Sequence, residues 1–490
     1  MLADRVDWTT KRRAAARVKF SSSATATKAA SCRSSIPALS CFPDQCDRDH
    51  PLDVDDEGEH SDAVPTSDRT TSDRTTSVPT ASVSAASTDG VAPSRRPELP
   101  HRHGFWVIAV AFLAVMAFST VPTPLYAIYQ QRDGFPAFVV TVVFAAYAVG
   151  VVASLFLAGH VSDWLGRRRI LLASILVEVL ASAVFLLWPE VPGLIVARLL
   201  TGLGVGALTA TATAHLSELR AIARPEEGPG TSRAVSTLVN MGGLALGPLV
   251  GGVFAVTVDR PLVVPYEVFL VVLVVLGLAV ALVPETVERR EILPAYRPQR
   301  LAVPEASRGT FLSAAVGAFA GFAVFGLFTS LAPTFLAGRF GETSHLEAGA
   351  VSFGVFAAGA VAQLASTRLS SRRALTLSAA ALTLGLVLVA VGAVVVSLPA
   401  FIIGGVVAGA GVGLLFRLSL GVAGSLASDE TRGEVLAAMF LAAYLGLAVP
   451  VLLIGAALAL LPSVPVLLGF VAVVLVLVLA AIVRMRRSAE

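Results

Sequence analysis

Between two long apolar runs, the chain reads Gly159-His160-Val161-Ser162-Asp163-Trp164-Leu165-Gly166-Arg167-Arg168-Arg169. The glycines permit a tight turn, and the arginines keep the segment in water beside a membrane rather than inside it. Asp163 stands where the first apolar run ends. We expect this carboxylate to pair with a loop arginine or to face the positive N-terminal end of a helix that starts on the same side, such as the eleventh. The alternative is a charged loop with no further role.

The chain is much more apolar than a soluble domain. Of its 490 residues, 55% are hydrophobic and 14% are charged, whereas soluble domains carry about 25% charged residues. Apolar runs of about 20 residues, the length that crosses ~30 Å of hydrocarbon, follow one another from Gly104 onward. The twelve predicted membrane spans lie near residues 104–127, 137–160, 169–188, 192–214, 233–258, 262–283, 310–337, 347–367, 374–395, 397–424, 434–458 and 463–484.

The spans form two sets of six, in residues 104–283 and 310–487, joined by a proline-containing polar linker at 284–309. The two sets resemble each other. The loop 163–169 matches 367–373. Three glycines of the fourth span also match three of the tenth span in the same order: Gly202, Gly204 and Gly206 match Gly409, Gly411 and Gly413. The sequence therefore predicts an all-α integral membrane protein of two pseudo-symmetric six-helix halves. Parallel halves of this kind are a transporter architecture, with the site between them.

Residues 1–103 have a different composition, rich in Ser, Thr, Pro and acidic residues, with a repeat at 66–70 and 71–75. Such a segment cannot bury enough apolar surface to fold, so we predict a disordered cytoplasmic tail. A start of the natural product near residue 90–100 is the alternative. The three cysteines, Cys32, Cys41 and Cys46, lack metal-ligand spacing, and we expect no metal site.

Arginine placement predicts the orientation. With the N-terminus inside, the inner loops hold fifteen arginines and the outer loops three, Arg132, Arg260 and Arg339. This asymmetry follows the positive-inside rule and puts both termini in the cytoplasm. The preference for arginine over lysine is typical of a GC-rich bacterial genome, so we expect a multi-pass protein of a bacterial cytoplasmic membrane.

Few charged residues lie inside predicted spans, and two of them, Arg198 and Glu178, are the main functional candidates, ahead of Glu267 and Arg417. Arg198 is in the fourth span, where a charge is costly unless it is paired or hydrated, so it is a functional candidate. Its match in the second half is Gly405. Glu178 in the third span is a candidate proton carrier that could pair with Arg198. Alternatively, Arg198 snorkels outward or ties helices together, and Glu178 is a structural or snorkelling group.

The fifth span carries a stripe of small residues. Gly243, Gly247 and Gly251 recur every four residues and allow another helix to approach closely. Pro248 bends the helix, and Gly252 follows the stripe. Close packing alone would also explain these glycines.

Polar and aromatic residues in the first and seventh spans are candidates to line a cavity: Thr120, Pro122, Thr123, Tyr126, Phe325 and Thr329. Neither 107–126 nor 310–337 contains a carboxylate. Arginines rather than acidic residues are therefore expected to supply any charge in this cavity.

The segments described above resemble signature motifs of the major facilitator superfamily, over residues 104–487. The loop resembles Gly-x-x-x-Asp-x-x-Gly-Arg-Arg, which implies a gating role for Gly159, Asp163, Gly166, Arg167 and Arg168. In the second half, Thr367 and Ser370 replace the aspartate and glycine of this motif, so any gating pair is expected on one side only.

Other motifs carry further implications of the resemblance. The segment beginning at Arg198 resembles the fourth-helix motif that the family links to proton transfer. The segment 243–252 resembles the element associated with antiporters. The Pro-x-Pro at 122–124 resembles the first helix of the twelve-helix drug:proton antiporter branch.

We therefore expect the major facilitator fold and a proton-coupled exporter of small amphiphilic molecules or drugs that works by alternating access. The expected partners are a small-molecule substrate, protons and the lipid bilayer, with no nucleic acid, and the expected state is a monomer. The proton gradient is the expected energy source, and we expect neither a cofactor nor catalytic residues, hence no enzyme. The alternatives are an uptake symporter or uniporter on the same fold and, more remotely, a membrane sensor.

Overall fold

The structure is a computed structural model that describes residues 98–158, 161–287, 296–299, 303, 305–428 and 431–487. This part of the chain contains twelve helices long and apolar enough to cross a membrane, which confirms the predicted fold class. In the first half they are α1 (His101–Asp133), α2 (Ala137–Leu157), α3 (Arg167–Leu187), α4 (Val191–Ala223), α5 (Gly230–Thr257) and α6 (Val264–Ala281). In the second half they are α7 (Arg308–Phe340), α8 (His345–Arg368), α9 (Ser371–Val395), α10 (Leu398–Ser425), α11 (Arg432–Leu458) and α12 (Ser463–Arg487).

The end of α4 differs most from the prediction. The apolar run ends near residue 214, but the helix continues to Ala223 and carries His215 and Glu218 on its last turns. Hydropathy detects only the part of a helix that lies in the membrane, whereas the backbone hydrogen bonds of α4 continue beyond it.

The predicted tail and linker are described only in part. Residues 1–97, 288–295, 300–302 and 304 lie outside the described residues. Within the predicted tail, α1 begins at His101, three residues before the expected span.

Proline breaks α1 about two thirds of the way along its length. Pro122 and Pro124 have no N–H to donate, so the helical hydrogen-bond pattern is interrupted around Val121. The backbone carbonyl of Ser119, just before the break, accepts a hydrogen bond from Arg198.

The matching glycines of α4 and α10 have the same packing role. A Cβ on Gly202 would lie 2.1 Å from the carbonyl oxygen of Tyr147 in α2, and one on Gly409 would lie 2.2 Å from that of Val355 in α8. Helices approach this closely only where a side chain is absent. The sequence repeat therefore corresponds to a repeat of helix packing in the two halves.

The outer surface of the bundle is apolar. Many large apolar side chains are exposed. Leu278 and Val476, for example, are each 67% exposed, and Leu187 is 84% exposed. An apolar surface of this extent is a contact surface rather than a water-facing one. It fits helices surrounded by lipid.

We call the face that carries Arg167, Arg224, Arg372 and Arg432 the basic face, and the other the opposite face. The halves approach each other closely toward the opposite face. A Cβ on Gly252 of α5 would lie 2.8 Å from the carbonyl oxygen of His345 in α8.

The second close approach of this kind joins α2 and α11. A Cβ on Gly455 of α11 would lie 2.4 Å from Thr141 Oγ1 of α2. Near the basic face, the linker residue Gln299 reaches both of these helices. Its N–H donates to the carbonyl oxygen of Phe156 at 2.9 Å, and its Nε2 would lie 2.8 Å from a Cβ on Gly433.

Candidate functional site

The loop between α2 and α3 is organised around an ion-pair network. The short helical turn Ser162–Leu165 carries Asp163, and α3 begins with Arg167. The Arg167 guanidinium lies 2.5 Å from Asp163 and 3.0 Å from Glu218 on the last turns of α4. Asp163 thus contacts the loop arginine, the first of its two expected partners. Gly159 lies outside the described residues.

A second carboxylate holds the start of α3. Glu285, which follows α6, accepts hydrogen bonds from the backbone N–H groups of Arg167 at 2.8 Å and Arg168 at 3.1 Å. The free N–H groups and the dipole of a helix N-terminus both favour a carboxylate there. Arg168 also donates to the carbonyl oxygen of Val283 at 3.0 Å, so the end of α6 is tied to the start of α3.

Gly166 makes this arrangement possible. Its φ of +102° is a conformation that side chains rarely adopt, and a Cβ there would lie 2.5 Å from Glu285 Oε2. The turn and the carboxylate cap therefore both depend on the missing side chain.

Replacing Gly166 with alanine is expected to lower the melting temperature of the purified protein. The strained backbone costs about 1–3 kcal/mol, and the Cβ displaces the Glu285 carboxylate. Gly228→Ala is the matched control, because a Cβ on Gly228 meets nothing within 4 Å. Equal melting temperatures for the two variants would contradict this account of the turn.

Arg198 lies inside the bundle. It is 1% exposed, and it donates from Nε to the Tyr126 hydroxyl and from Nη1 to the Ser119 carbonyl oxygen at 2.5 Å. The guanidinium carbon also lies 5.3 Å from the ring centre of Tyr126 and 5.7 Å from that of Tyr147. Hydrogen bonds and cation–π contacts of this kind offset the desolvation of a buried charge. Arg198 therefore points into the bundle and does not snorkel outward.

The second half has no equivalent of this charge. The matching position is Gly405, where a Cβ would lie 2.6 Å from the ring of Phe328. An aromatic side chain thus approaches the place that corresponds to Arg198. The arginine is an addition to the repeated scaffold and not a part of it.

Glu178 on α3 is 0% exposed. Its Oε1 would lie 2.4 Å from a Cβ on Gly204 of α4, so the carboxyl packs against the α4 backbone. Among the described residues, no ion pair joins Glu178 to Arg198. The direct pair that the sequence suggested is not formed in this conformation.

The second half shows which side chain is sufficient for packing at the position that corresponds to Glu178. A Cβ on Gly411, the match of Gly204, would lie 2.8 Å from Leu382 of α9. Leucine therefore fills in the second half the place that Glu178 fills in the first. Packing alone does not need a carboxyl group there.

The glycine stripe of α5 packs against α1. A Cβ on any of its three glycines would lie at most 2.7 Å from a backbone oxygen of α1, and the pairs are Gly243 with Leu113, Gly247 with Ala117 and Gly251 with Val121. Thr120 reinforces this contact, because its hydroxyl donates to the carbonyl oxygen of Leu244 at 3.2 Å.

The same segment of α5 also contacts the other half. The Pro248 carbonyl oxygen would lie 2.3 Å from a Cβ on Gly349 of α8, and Gly252 packs against the start of α8. The segment 243–252 is thus the place where α5 meets both the broken helix α1 and the second half.

A cavity of about 200 Å³ lies between the halves, near the ends of α1 and α2 at the opposite face and beside the α7 segment 330–337. Its lining includes Tyr126 and Gln130 of α1 and Ser330 and Thr334 of α7. The Tyr126 hydroxyl that accepts from Arg198 therefore belongs to a residue that also borders this space. The other expected lining residues are buried among the helices: Thr120, Pro122, Thr123, Phe325 and Thr329.

The α7 wall of this cavity is not a regular α-helix. Leu327–Leu331 and Leu336–Phe340 are π-helical turns, a feature often found at functional sites. Pro333, which lies between the two turns, indicates in the sequence that the helix is irregular here. The π-helical turns themselves have no recognisable sequence pattern.

A row of aromatic rings joins Arg198 to the second half, and the sequence interpretation missed it. The ring centre of Tyr147 in α2 lies 6.3 Å from that of Tyr444 in α11. The Tyr444 ring centre in turn lies 6.0 Å from that of Phe322 in α7. Phe322 in turn lies 4.8 Å from Phe416 of α10. Single aromatic residues on four separate spans carry no sequence signal for such a row, because only the packing brings them together.

Comparison with known proteins agrees with this architecture. Residues 107–449 match the model of the Major Facilitator Superfamily. The fold is similar to that of the human organic anion transporter MFSD10 (TETRAN), with a TM-score of 0.58 and 16% identity, over 78% of this chain and 100% of that chain.

A second similar structure is a mutant of the nucleoside transporter NupG, with a TM-score of 0.62 and 12% identity, over 78% of this chain and 99% of that chain. A search of curated proteins gives no match. At these identities the structures show a shared fold, while the family match covers most of the chain. The chain belongs to the Major Facilitator Superfamily of membrane transporters.

Proposed function

We propose that this protein is a proton-coupled exporter of small amphiphilic molecules, related in mechanism to the drug:proton antiporters. The observation that carries the proposal is the buried Arg198, bound to Tyr126 at the edge of the cavity between the halves. A buried charge without a counterpart in the repeated scaffold is retained for function rather than for folding. Its contact with a cavity-lining residue connects the charge to the substrate path.

Glu178 supplies the proton-binding group in this proposal. It is buried, and leucine is sufficient at the corresponding position of the second half. Glu178 packs against α4 and Arg198 belongs to α4, so a movement of α4 changes the surroundings of both. Binding and release of a proton at Glu178 can in this way be coupled to the hydrogen bonds of Arg198.

The ion-pair network at the basic face serves as the gate. All its members, Asp163, Arg167, Glu218 and Glu285, belong to the first half or its boundary. The network therefore stabilises one arrangement of α2, α3 and α4, and its strength biases the equilibrium between the two conformations of the carrier.

Replacing Asp163 with asparagine is expected to change the transport rate several-fold without destabilising the protein. Asp163 is 58% exposed, so its ion pair contributes at most about 1 kcal/mol, which shifts a two-state equilibrium about fivefold. Initial transport rate and melting temperature are the two measurements. The control is Asp259→Asn, which removes an exposed acid at the opposite face. Unchanged transport by Asp163→Asn would show that the loop is only a charged surface.

The surroundings favour neutral or anionic amphiphiles as substrates. The aromatic row offers apolar and π contacts, the charge next to it is an arginine, and α7 contains no acidic residue. The two similar structures are described as transporters of organic anions and nucleosides. Both descriptions name small organic substrates.

Everted membrane vesicles test the proposal and identify the substrate class. With an acid interior and a pH-sensitive dye, addition of an exported compound should dissipate the gradient. The panel contains neutral, anionic and cationic amphiphiles that share an aromatic group. Loss of the gradient only with neutral or anionic compounds, and not in vesicles that contain the Arg198→Ala variant, is the expected result. No response to any compound from vesicles that contain the protein would count against proton-coupled export.

A further inference from the structure

A second and larger cavity lies outside the path between the halves. It has a volume of about 930 Å³, opens at the basic face, and is bordered by the ends of α7, α9, α10 and α12. All the residues that line it belong to the second half. Its polar lining consists of arginines and hydroxyl groups, namely Arg372, Arg417, Arg486, Thr310, Ser371, Thr376 and Ser425.

Two of the three arginines are oriented by neutral acceptors. Arg417 Nη1 donates to the Ser366 carbonyl oxygen at 2.7 Å and to the Ser366 hydroxyl at 3.0 Å. Arg486 Nη2 donates to the Thr376 hydroxyl at 2.9 Å. In the described part of the chain, no acidic side chain forms an ion pair with any of the three arginines. The positive charge of the cavity is therefore not compensated by these side chains.

The corresponding region of the first half has acidic residues. There Glu218 pairs with Arg167, and the Glu285 carboxylate caps the start of α3. In the repeat, Ser425 takes the place of Glu218 and Ser371 that of Arg167. The second half thus has arginines at the start of α9 and the end of α12, and hydroxyl groups where the first half forms its ion pair.

The geometry points to a binding site for the phosphate headgroup of an anionic phospholipid. Arginines bind phosphate oxygens with paired N–H donors, and hydroxyl groups supply further hydrogen bonds. The inner wall is apolar, with Leu375, Leu418, Val422, Leu426 and Met485, which suits the start of acyl chains. The cavity lies at the ends of spanning helices, where lipid headgroups are located, and basic pockets between such helices attract anionic lipids.

A lipid bound there would join four helix ends of the second half. It would supply the negative charge that Glu218 and Glu285 supply in the first half. This inference concerns a separate site and does not depend on the direction or coupling of transport.

The test is a titration of the purified full-length protein in detergent with dioctanoyl phosphatidylglycerol, followed by melting temperature. Dioctanoyl phosphatidylcholine and inorganic phosphate are titrated in parallel. We expect phosphatidylglycerol alone to stabilise the protein in a saturable way. Replacing both Arg372 and Arg486 with glutamine should weaken its apparent affinity about 25-fold, since each arginine near a membrane surface contributes about fivefold.

The matched control replaces Arg368 and Arg373 with glutamine. These two exposed arginines lie beside the cavity on the same face but do not line it. We expect the affinity of this control to stay within about twofold of the original. An equal loss in both double variants, or equal stabilisation by phosphatidylcholine, would overturn the site. Equal stabilisation by inorganic phosphate would overturn the lipid assignment and make the cavity a site for soluble anions.

Discussion

Replacing Arg198 with alanine is expected to reduce substrate-dependent proton movement at least about 100-fold while the protein still inserts and folds. Two charge-assisted hydrogen bonds are lost, each worth about 1.5–3 kcal/mol, and the Tyr126 hydroxyl and Ser119 carbonyl oxygen lose their donor. The measurement is the initial rate of gradient loss in everted vesicles, normalised to the amount of protein.

Two further variants separate charge from geometry. Arg198→Lys keeps the positive charge, but an ammonium group cannot reproduce the planar guanidinium between Tyr126 and Ser119, so we expect partial activity. Arg260→Ala removes an exposed arginine at the opposite face and should transport normally. Full proton-coupled transport by Arg198→Ala would show that this arginine only ties helices together.

Replacing Gly247 with alanine is expected to abolish transport and to destabilise the protein. The new Cβ would lie 2.1 Å from Thr120 Oγ1 and 2.2 Å from the Ala117 carbonyl oxygen, so α5 and α1 must separate. Overpacking of this kind costs about 1–3 kcal/mol. It also shifts α5 at the point where it contacts α8. Melting temperature and transport rate are both measured.

Gly242 supplies the matched control on the same helix. A Cβ there would meet only Leu113 Cδ1, at 3.9 Å, an ordinary contact. Gly242→Ala should therefore match the original protein in both measurements, and its better helix propensity should if anything stabilise α5. If Gly247→Ala and Gly242→Ala behave alike, the close packing of α1 and α5 is not what the stripe provides.

Much of the fold follows from the sequence because the membrane imposes a strong pattern. Each spanning helix must be apolar over about 20 residues, so even the short loop between α1 and α2 is visible between two runs. The repeat was readable because Gly202 and Gly409 allow equivalent close contacts. The end of α4 could not be predicted from hydropathy, because Glu218 and its neighbours are polar although they are still helical.

The residues of the candidate site could be predicted from the sequence where a residue is unusual for its place, such as a charge inside a span. Arg198 stands out because a charge is rare in a span, and Gly166 because its loop has a recognisable spacing. Contacts across the bundle have no such signal. The meeting of Tyr147 with Tyr444 depends on the relative positions of α2 and α11, and the packing of Glu178 under Gly204 depends on the depth and rotation of α3.

The basic cavity of the second half shows the same limit. Arg372 and Arg486 are helix-end arginines that indicate only orientation, and Arg417 lies far from both in the sequence, inside the tenth predicted span. The folded chain brings them to one cavity, and only comparison of the two halves shows that the acidic partners of the first half are replaced by hydroxyl groups.

The most direct test of proton-coupled export uses purified protein in liposomes with an imposed pH gradient and a labelled substrate from the vesicle panel. Antiport predicts that the substrate accumulates in liposomes with an acidic interior, that reversing the gradient reverses the flux, and that Glu178→Leu transports without responding to the gradient. Glu178→Leu reproduces the residue of the second half, Leu382, and is therefore expected to fold. Accumulation driven by an acidic exterior, or flux in the original protein that ignores the gradient, would contradict the account.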